Sequence, residues 1–391
     1  MIRVVQKFGG TSVATLERIK NVADIIARSH KSGQNTVAVV SAMAGVTNKF
    51  IGYVRNLDAY EGDPEYDRVV SSGELITAGL LAIALKNLGL NARSYSSWQV
   101  PIFTDGNYGH AVIKNIDPSN LNDDIANGII PVVCGFQGIN PENRITTLGR
   151  GGSDFTAVAI ASSIGADLCE IYSDVDGVYT VDPNLYQDAK RIDGINYHEM
   201  LEMASQGAKI LQEQSVDYAM KKDVVIRVAS SFVEGKGTII SGKILPKNFR
   251  GLAVTPSLSQ IRISHNASDN DVLDVLERHF IKAEIFKKIE NEKTDILLDK
   301  KKTAVAVHVL KNCDFVRSVR QIIVRKQFSQ ISVIGSLMTT ETCKMLTDAL
   351  ISDRIETFGF SVANYKVNLI VSSDKLLESI AVLHRYCGLE K

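Results

Sequence analysis

The chain has 391 residues, with 44 Lys+Arg balanced by 44 Asp+Glu, so its formal charge is zero. Hydrophobic residues make up 45% and charged residues 23%, a globular composition that excludes disorder. The zero charge also lacks the basic footprint of a nucleic-acid binder, and the length suits two or three domains of about 150 residues.

The chain opens on a buried strand, Ile2 to Gln6. An amphipathic helix follows, with Leu16, Ile19, Val22, Ala23 and Ile26 on one face, ending near Gly33. Thr36 to Val40 is a second strand, a helix starts near Val46, and another runs from Glu74 to Leu88 before Gly89. Ile129–Val133, Asp167–Tyr172 and Val224–Val228 read as further buried strands. Strands alternating with helices predict a largely parallel sheet covered on both faces, with ligands beyond the carboxyl ends of its strands. The stripe Leu201, Ala204, Ala208 and Leu211 reads as packing.

Turn-rich sequence from Gly235 to Phe249 marks a boundary, giving domains 1–245 and 250–391. The second part splits into two weakly similar halves, about 260–325 and 326–391. The first reads as strand Gln260–Ser264, helix Val272–Arg278, strands Thr294–Leu298 and Ala304–Leu310, then a helix from Asp314. The second reads as strand Gln330–Ile334, helix Glu341–Ile351, strands Thr357–Ser361 and Lys366–Val371, and helix Lys375–Tyr386. Both follow the ferredoxin-like order β-α-β-β-α.

No apolar run approaches the roughly 18–20 residues of a membrane span, Gly79 to Leu85 being among the longest. The N-terminus carries no secretory apolar core, and five scattered cysteines (134, 169, 313, 343 and 387) fit reduced thiols in a cytoplasmic protein. Seven dispersed histidines and the cysteine spacing make a protein-built zinc site improbable.

Three motifs carry chemistry. Lys7-Phe8-Gly9-Gly10-Thr11-Ser12 ends the first strand in a glycine pair. Such glycines allow close backbone approach and present amides to an anion, although a tight turn with a solvated lysine has the same pattern. Thr147-Leu148-Gly149-Arg150-Gly151-Gly152-Ser153-Asp154 leads into a helix that Ser153 suits as N-cap. Three glycines around one arginine exceed what a cap needs, and Arg150 can grip a carboxylate. Ser173-Asp174-Val175-Asp176-Gly177-Val178-Tyr179-Thr180-Val181-Asp182-Pro183 is either a structured loop or part of a nucleotide pocket. Ser41 to Asn48 follows the second strand, Gly207-Ala208-Lys209 opens a helix, and Ser72-Gly73-Glu74 opens another. Glu74 there is a capping carboxylate or a ligand for an ammonium group.

In order and spacing these segments resemble the aspartate kinases of the amino-acid kinase family over nearly all of residues 1–245. The resemblance implies a three-layer αβα (carbamate-kinase-like) domain followed by two ferredoxin-like ACT domains. It also implies transfer of the γ-phosphoryl of Mg-ATP to the β-carboxylate of L-aspartate, giving 4-phospho-L-aspartate and ADP. Lys7 would stabilise the transferring phosphoryl and Asp154 would orient that lysine. Glu74 would take the substrate ammonium and Arg150 its α-carboxylate, with Thr47, Gly151, Gly152 and Ser153 as further substrate contacts. Gly9, Gly10 and Ser41 would wrap the phosphates, and Ser173, Asp174, Tyr179, Asp182 and Lys209 would hold the nucleotide. A homodimer or higher oligomer, an amino-acid effector (lysine or threonine) at the ACT region, and no membrane or nucleic-acid partner belong to the same expectation.

The sequence departs from the family pattern in three places. Asn184 replaces an arginine after the nucleotide loop, and Gln212-Glu213-Gln214 replaces a His-Pro or arginine segment. The Pro-Gly turns and effector-loop residues of the ACT units are eroded, with Ala267-Ser268-Asp269, Thr339-Thr340-Glu341 and Arg354-Ile355-Glu356-Thr357-Phe358-Gly359 in their places. That erosion predicts weakened or altered feedback, or domains that serve only dimerisation. Two other readings compete: a kinase of the same fold for acetylglutamate, glutamate or UMP, and an amino-acid sensor that has lost catalysis. The Glu74/Arg150 pair argues against the first, and retention of Lys7, Asp154 and Lys209 against the second.

Overall fold

The computed structural model describes residues 2–206, 210–265, 267–289, 293–313 and 322–390. The described chain divides into two compact units. The first comprises 1–178, 191–204 and 209–245; the second comprises 179–190, 205–208 and 246–391.

In the first unit, strands β1 (Arg3–Phe8) and β2 (Asn35–Val40) flank helix α1 (Leu16–Lys31). Helices α2 (Val46–Arg55), α3 (Pro64–Val70) and α4 (Ser72–Asn87) follow. Then come β3 (Ala92–Tyr95), β4 (Ile102–Thr104), β5 (Ile113–Ile116), α5 (Ser119–Ala126), β6 (Ile130–Cys134), β7 (Gln137–Ile139) and β8 (Ile145–Thr147). The unit continues with α6 (Gly152–Ser163), β9 (Leu168–Ser173), β10 (Gly194–Ile195), α7 (Tyr197–Ser205), α8 (Glu213–Lys222), β11 (Ile226–Ser230) and β12 (Thr238–Ile240).

The main sheet has the order β10-β12-β11-β9-β1-β2-β6-β3, and its run from β11 to β3 is parallel. Side chains alternate across a strand. In β1 the side chain of Phe8 joins the core formed with Ile19, Val22 and Ile26 of α1 and Leu81 and Leu85 of α4. That of Lys7 emerges on the opposite face and meets α6. The sheet is therefore covered on both faces, and each crossover returns the chain to the same rim. A smaller sheet, β5-β4-β7-β8, ends at Thr147, just before the Gly149–Gly152 segment. Its strands of three or four residues carry too short an alternation to be read from sequence.

The second unit holds β13 (Gly251–Ser264), α9 (Asp269–Arg278), β14 (Ala283–Ile289), β15 (Lys293–Asp299), α10 (Thr303–Lys311), β16 (Ile323–Ile334), α11 (Thr340–Ser352), β17 (Thr357–Ala363), β18 (Lys366–Ser372) and α12 (Leu376–Tyr386). They build one antiparallel sheet ordered β14-β15-β13-β16-β18-β17. Each half is β-α-β-β-α, and the long central strands β13 and β16 pair with each other. Each half thus borrows the first strand of the other as the fourth strand of a ferredoxin-like sheet.

Three expectations are corrected. Ala304–Leu310, read as a strand, is helix α10, because Ala306, Val309 and Leu310 are buried at helical spacing; the half's remaining strand is β14, which precedes β15. The helix read from Asp314 starts outside the described residues. Of the stripe Leu201, Ala204, Ala208 and Leu211, Leu211 is buried, Leu201 and Ala204 are only half-buried, and Ala208 lies outside the described residues; the buried apolar residues of α7 are Tyr197, Met200 and Met203. Finally, Pro64–Asn87 is long and apolar enough, by length and composition, to cross a membrane. Half of its most apolar window is buried inside the protein, as a core helix requires, and Ser72-Gly73-Glu74 interrupts the run in sequence.

Leu81 is fully buried between α1 and the sheet. Leu81→Ala is expected to cost about 2–5 kcal/mol. Calorimetry should show this as a lower transition for the first unit, with the second unit's transition in place.

Candidate active site

The rim formed by the carboxyl ends of β1, β2 and β6 opens into a cavity of about 380 Å³. Ser41 to Gly45, Thr47 and Asn48 form one wall, and Gly149 to Ser153 another. Gly10, Ile51, Arg55, Glu61, Tyr66, Glu74, Gly109, Phe136 and Thr147 complete the lining.

Lys7 and Asp154 form an ion pair in which both residues are about nine-tenths buried. Asp154 sits in the first turn of α6, where a carboxylate also complements the helix dipole. Gly9 passes beside the ammonium: a Cβ there would lie 3.4 Å from Lys7 Nζ. Its N–H donates to the Tyr172 carbonyl (3.2 Å), which fixes the loop to β9. Gly10 approaches the Ala42 carbonyl so closely that a Cβ would sit 3.0 Å from it.

The N-cap of α6 is Gly151, not Ser153 as the sequence suggested. Gly151 adopts φ +71°, a left-handed conformation suited to glycine, and a Cβ on it would strike the Gln212 side chain at 1.7 Å. The helix therefore starts two residues earlier, which leaves the Ser153 hydroxyl to pair with Ser41 Oγ (2.7 Å). That bond joins the two walls of the cavity. Gln212, Glu213, Gln214 and Asp217 border a neighbouring recess of about 410 Å³ that Arg150 shares. The departure from the family pattern thus lies beside the arginine.

Glu74 is 3% exposed and lines the cavity. It accepts backbone hydrogen bonds from Ala42 and from its own N–H, but Oε2 has no partner among the described residues. Burial pushes its carboxyl from the ordinary 4.5 up to about 8, against the pull of those two bonds. It is not a cap alone: a half-satisfied carboxylate facing a cavity is built to receive a donor.

Thr47 and Arg150 line the same cavity, the first half-buried and the second exposed. Gly151 and Gly152 line it too. Ser173 and the exposed Asp174 follow the carboxyl end of β9, next to β1, and Ser173 Oγ accepts from the Val175 N–H (3.2 Å). Tyr179 and Asp182 belong to the 179–190 segment of the second unit. There Val181 packs in a core with Leu252, Ile380 and Leu383, and Thr180 Oγ1 pairs with the buried His384 Nε2 (2.9 Å). Asn184 donates to Asp182 Oδ1 from both its N–H and its side-chain amide (2.9 and 3.0 Å), so this departure ties up the Asp182 carboxylate locally. Lys209 lies outside the described residues.

Sequence reasoning missed Tyr66, Asp67, Phe136 and the Gly109–His110 turn. Gly109 and Tyr66 line the cavity, yet they sit in segments without a recognisable motif. Among the described residues no cluster of three metal-ligating side chains forms. Magnesium chemistry of the kind a nucleotide brings needs only one or two protein carboxylates, and Asp154 and Asp174 stand at this rim.

The sequence profile of the amino acid kinase family matches residues 3–230. The chain is 35% identical over 406 residues to an aspartate kinase of Pseudomonas putida, an alignment covering 98% of this chain and 97% of that one. It is 45% identical over 247 residues to an aspartokinase of Rickettsia bellii, covering 62% of this chain and 61% of the relative. The crystal structure of Escherichia coli aspartokinase III in complex with aspartate and ADP matches with a TM-score of 0.79 at 25% identity, over 98% of this chain and 99% of that one. A family profile over more than half the chain and a full-length relative at this identity place the protein: it belongs to the amino acid kinase family, among the aspartokinases.

Proposed function

We propose that the first unit transfers the γ-phosphoryl of ATP to the β-carboxylate of L-aspartate, giving 4-phospho-L-aspartate and ADP. The observation that carries this reading is the presence, in one cavity, of a buried Glu74 carboxylate with one oxygen left unpartnered and of the exposed Arg150 guanidinium. Glu74 receives the substrate ammonium and Arg150 its α-carboxylate, with Thr47, Gly151, Gly152 and Ser153 around them. The relatives named aspartokinase, and the one solved with aspartate and ADP, support the same substrates.

Attack of a carboxylate on a phosphoryl group brings two anions together, so catalysis rests on positioning and on cationic stabilisation. Lys7 is the cation for the transferring phosphoryl. Asp154 holds its ammonium at the rim through the buried ion pair and cuts its freedom to wander. Gly9, Gly10 and Ser41 take the phosphates, and Ser173, Asp174, Tyr179, Asp182 and Lys209 the rest of the nucleotide. Bound with the nucleotide, Mg2+ would neutralise phosphate charge, and Asp174 and Asp154 are the carboxylates of this chain that would hold it.

The second unit acts as an effector module for lysine or threonine, a role its paired ferredoxin-like halves support. A homodimer or higher oligomer belongs to the same reading. It is supported by α4, apolar on all sides yet with Ile76 and Ile83 more than half exposed. Five cysteines that form no disulfide with one another fit a cytoplasmic compartment.

Four outcomes test this reading. ADP release with Mg-ATP should require L-aspartate over glutamate, acetylglutamate and UMP, and hydroxylamine should trap the acyl phosphate. Lys7→Ala and Asp154→Ala should each cut kcat by about 10²–10³-fold with little change in KM; unchanged turnover in both removes their roles. The Glu74 carboxyl titrates near 8 in the empty site, and only its ionised form pairs with an ammonium. Raising the pH from 7 to 8.5 increases that form about eightfold, so KM for aspartate should fall by a similar factor, and Glu74→Gln should abolish the dependence. For the second unit, isothermal titration should detect lysine or threonine binding with at most weak inhibition; micromolar lysine binding with strong inhibition would show intact feedback.

A further inference from the structure

We propose that Asp67, which no motif marks, is a positioning residue that sets the geometry of Arg150 toward the amino-acid substrate; the substrate's identity rests on the cavity reading above. Asp67 is fully buried in α3. Its Oδ2 accepts the Gly109 N–H (2.9 Å) and the Thr147 N–H (2.7 Å), and its Oδ1 accepts the Thr147 hydroxyl (2.9 Å). Gly109 and Thr147 both line the cavity. They come from separate segments, the turn between β4 and β5 and the end of β8.

One carboxylate therefore joins three pieces of the pocket. The link extends toward the arginine in two steps. The Ala111 N–H donates to the Thr147 carbonyl (2.8 Å), which closes the turn onto β8. Gly149, at φ +73°, then packs against that turn: a Cβ on it would lie 3.1 Å from His110 Nδ1 and 3.2 Å from the Gly109 carbonyl. Arg150 is the next residue. With Thr147 held on one side and Gly149 seated on the turn, the backbone leaves for Arg150 in a fixed direction. An exposed arginine has many rotamers, so its aim depends on where its backbone starts.

Removing the carboxylate would leave two buried N–H groups without an acceptor, and the turn would move away from β8 to find water. Asparagine, by contrast, fits the same contacts. Its oxygen can accept both N–H groups, and its amide can donate to Thr147 Oγ1.

The experiment compares Asp67→Ala and Asp67→Asn in the full-length chain by steady-state kinetics and by hydrogen exchange. Asp67→Ala should raise KM for aspartate tenfold or more while KM for ATP stays within twofold. The Gly109 and Thr147 amides should exchange faster, with those of β1 and α6 unchanged. Asp67→Asn should restore KM for aspartate to within threefold of the parent. If Asp67→Ala does not fold, Thr147→Val removes the hydroxyl alone and should raise KM for aspartate about threefold at constant KM for ATP. A parent without aspartate-dependent ADP release sinks the cavity reading and the proposal with it. In an active parent, an unchanged KM for aspartate, or equal rises in both KM values, overturns the positioning role alone.

Discussion

The site depends on one ion pair, that of Lys7 with Asp154, and the alternation of a β-strand dictates it. In β1 the side chain of Phe8 must face the α1/α4 core, so that of Lys7 must face α6. An unpaired ammonium on that buried face would cost far more than the pair does. The carboxylate in the first turn of α6 therefore fixes where helix and strand meet. It also fixes where the glycine loop after β1 and the Gly151 cap before α6 come to lie. Phosphate-facing loops and substrate-facing loops share one seam, and the Ser41–Ser153 bond crosses it.

The parts legible in the sequence are those with long periodicity or glycine-rich punctuation. Strands β1, β2, β6 and β9 could be read because each is an apolar-rich run buried on both faces, and helices α1 and α4 because each buries one continuous face. The Gly149–Gly152 run stood out because backbone geometry demands glycine there: Gly149 and Gly151 both have positive φ, and Gly151 has no room for a side chain. The four short strands β4, β5, β7 and β8 were illegible, since three or four residues carry no periodicity. Helix α10 was misread because valine favours strands locally, whereas burial of one helical face decided the outcome. Asp67 was invisible for a different reason. Its partners lie 42 and 80 residues away, on segments joined only in the folded chain.

The contrast between Asp67 and Glu74 shows how donor count separates a structural carboxylate from a binding one. Both are buried in the same unit and both are pushed up by burial. Asp67 receives three hydrogen bonds that use both oxygens, so nothing is left to attract a ligand. Glu74 keeps one oxygen unpartnered toward the cavity. The same desolvation therefore buys rigidity at one position and affinity at the other.

For Glu74 the magnitudes favour a site that charges when it is filled. With its carboxyl near 8, ionising the side chain at pH 7 costs about 1.4 kcal/mol. A hydrogen bond from a charged ammonium returns about 1.5–3 kcal/mol, enough to offset that cost. The free pocket therefore rests mostly neutral, and an incoming ammonium displaces the proton. The sign for stability follows. In the unfolded chain this carboxyl titrates near its ordinary 4.5, so raising the pH from there through 8 progressively removes stability from the empty protein. Substrate restores it. A competitor without an ammonium leaves Glu74 protonated and gains no charge-assisted hydrogen bond from it, so the pocket favours an ammonium through that bond rather than through shape.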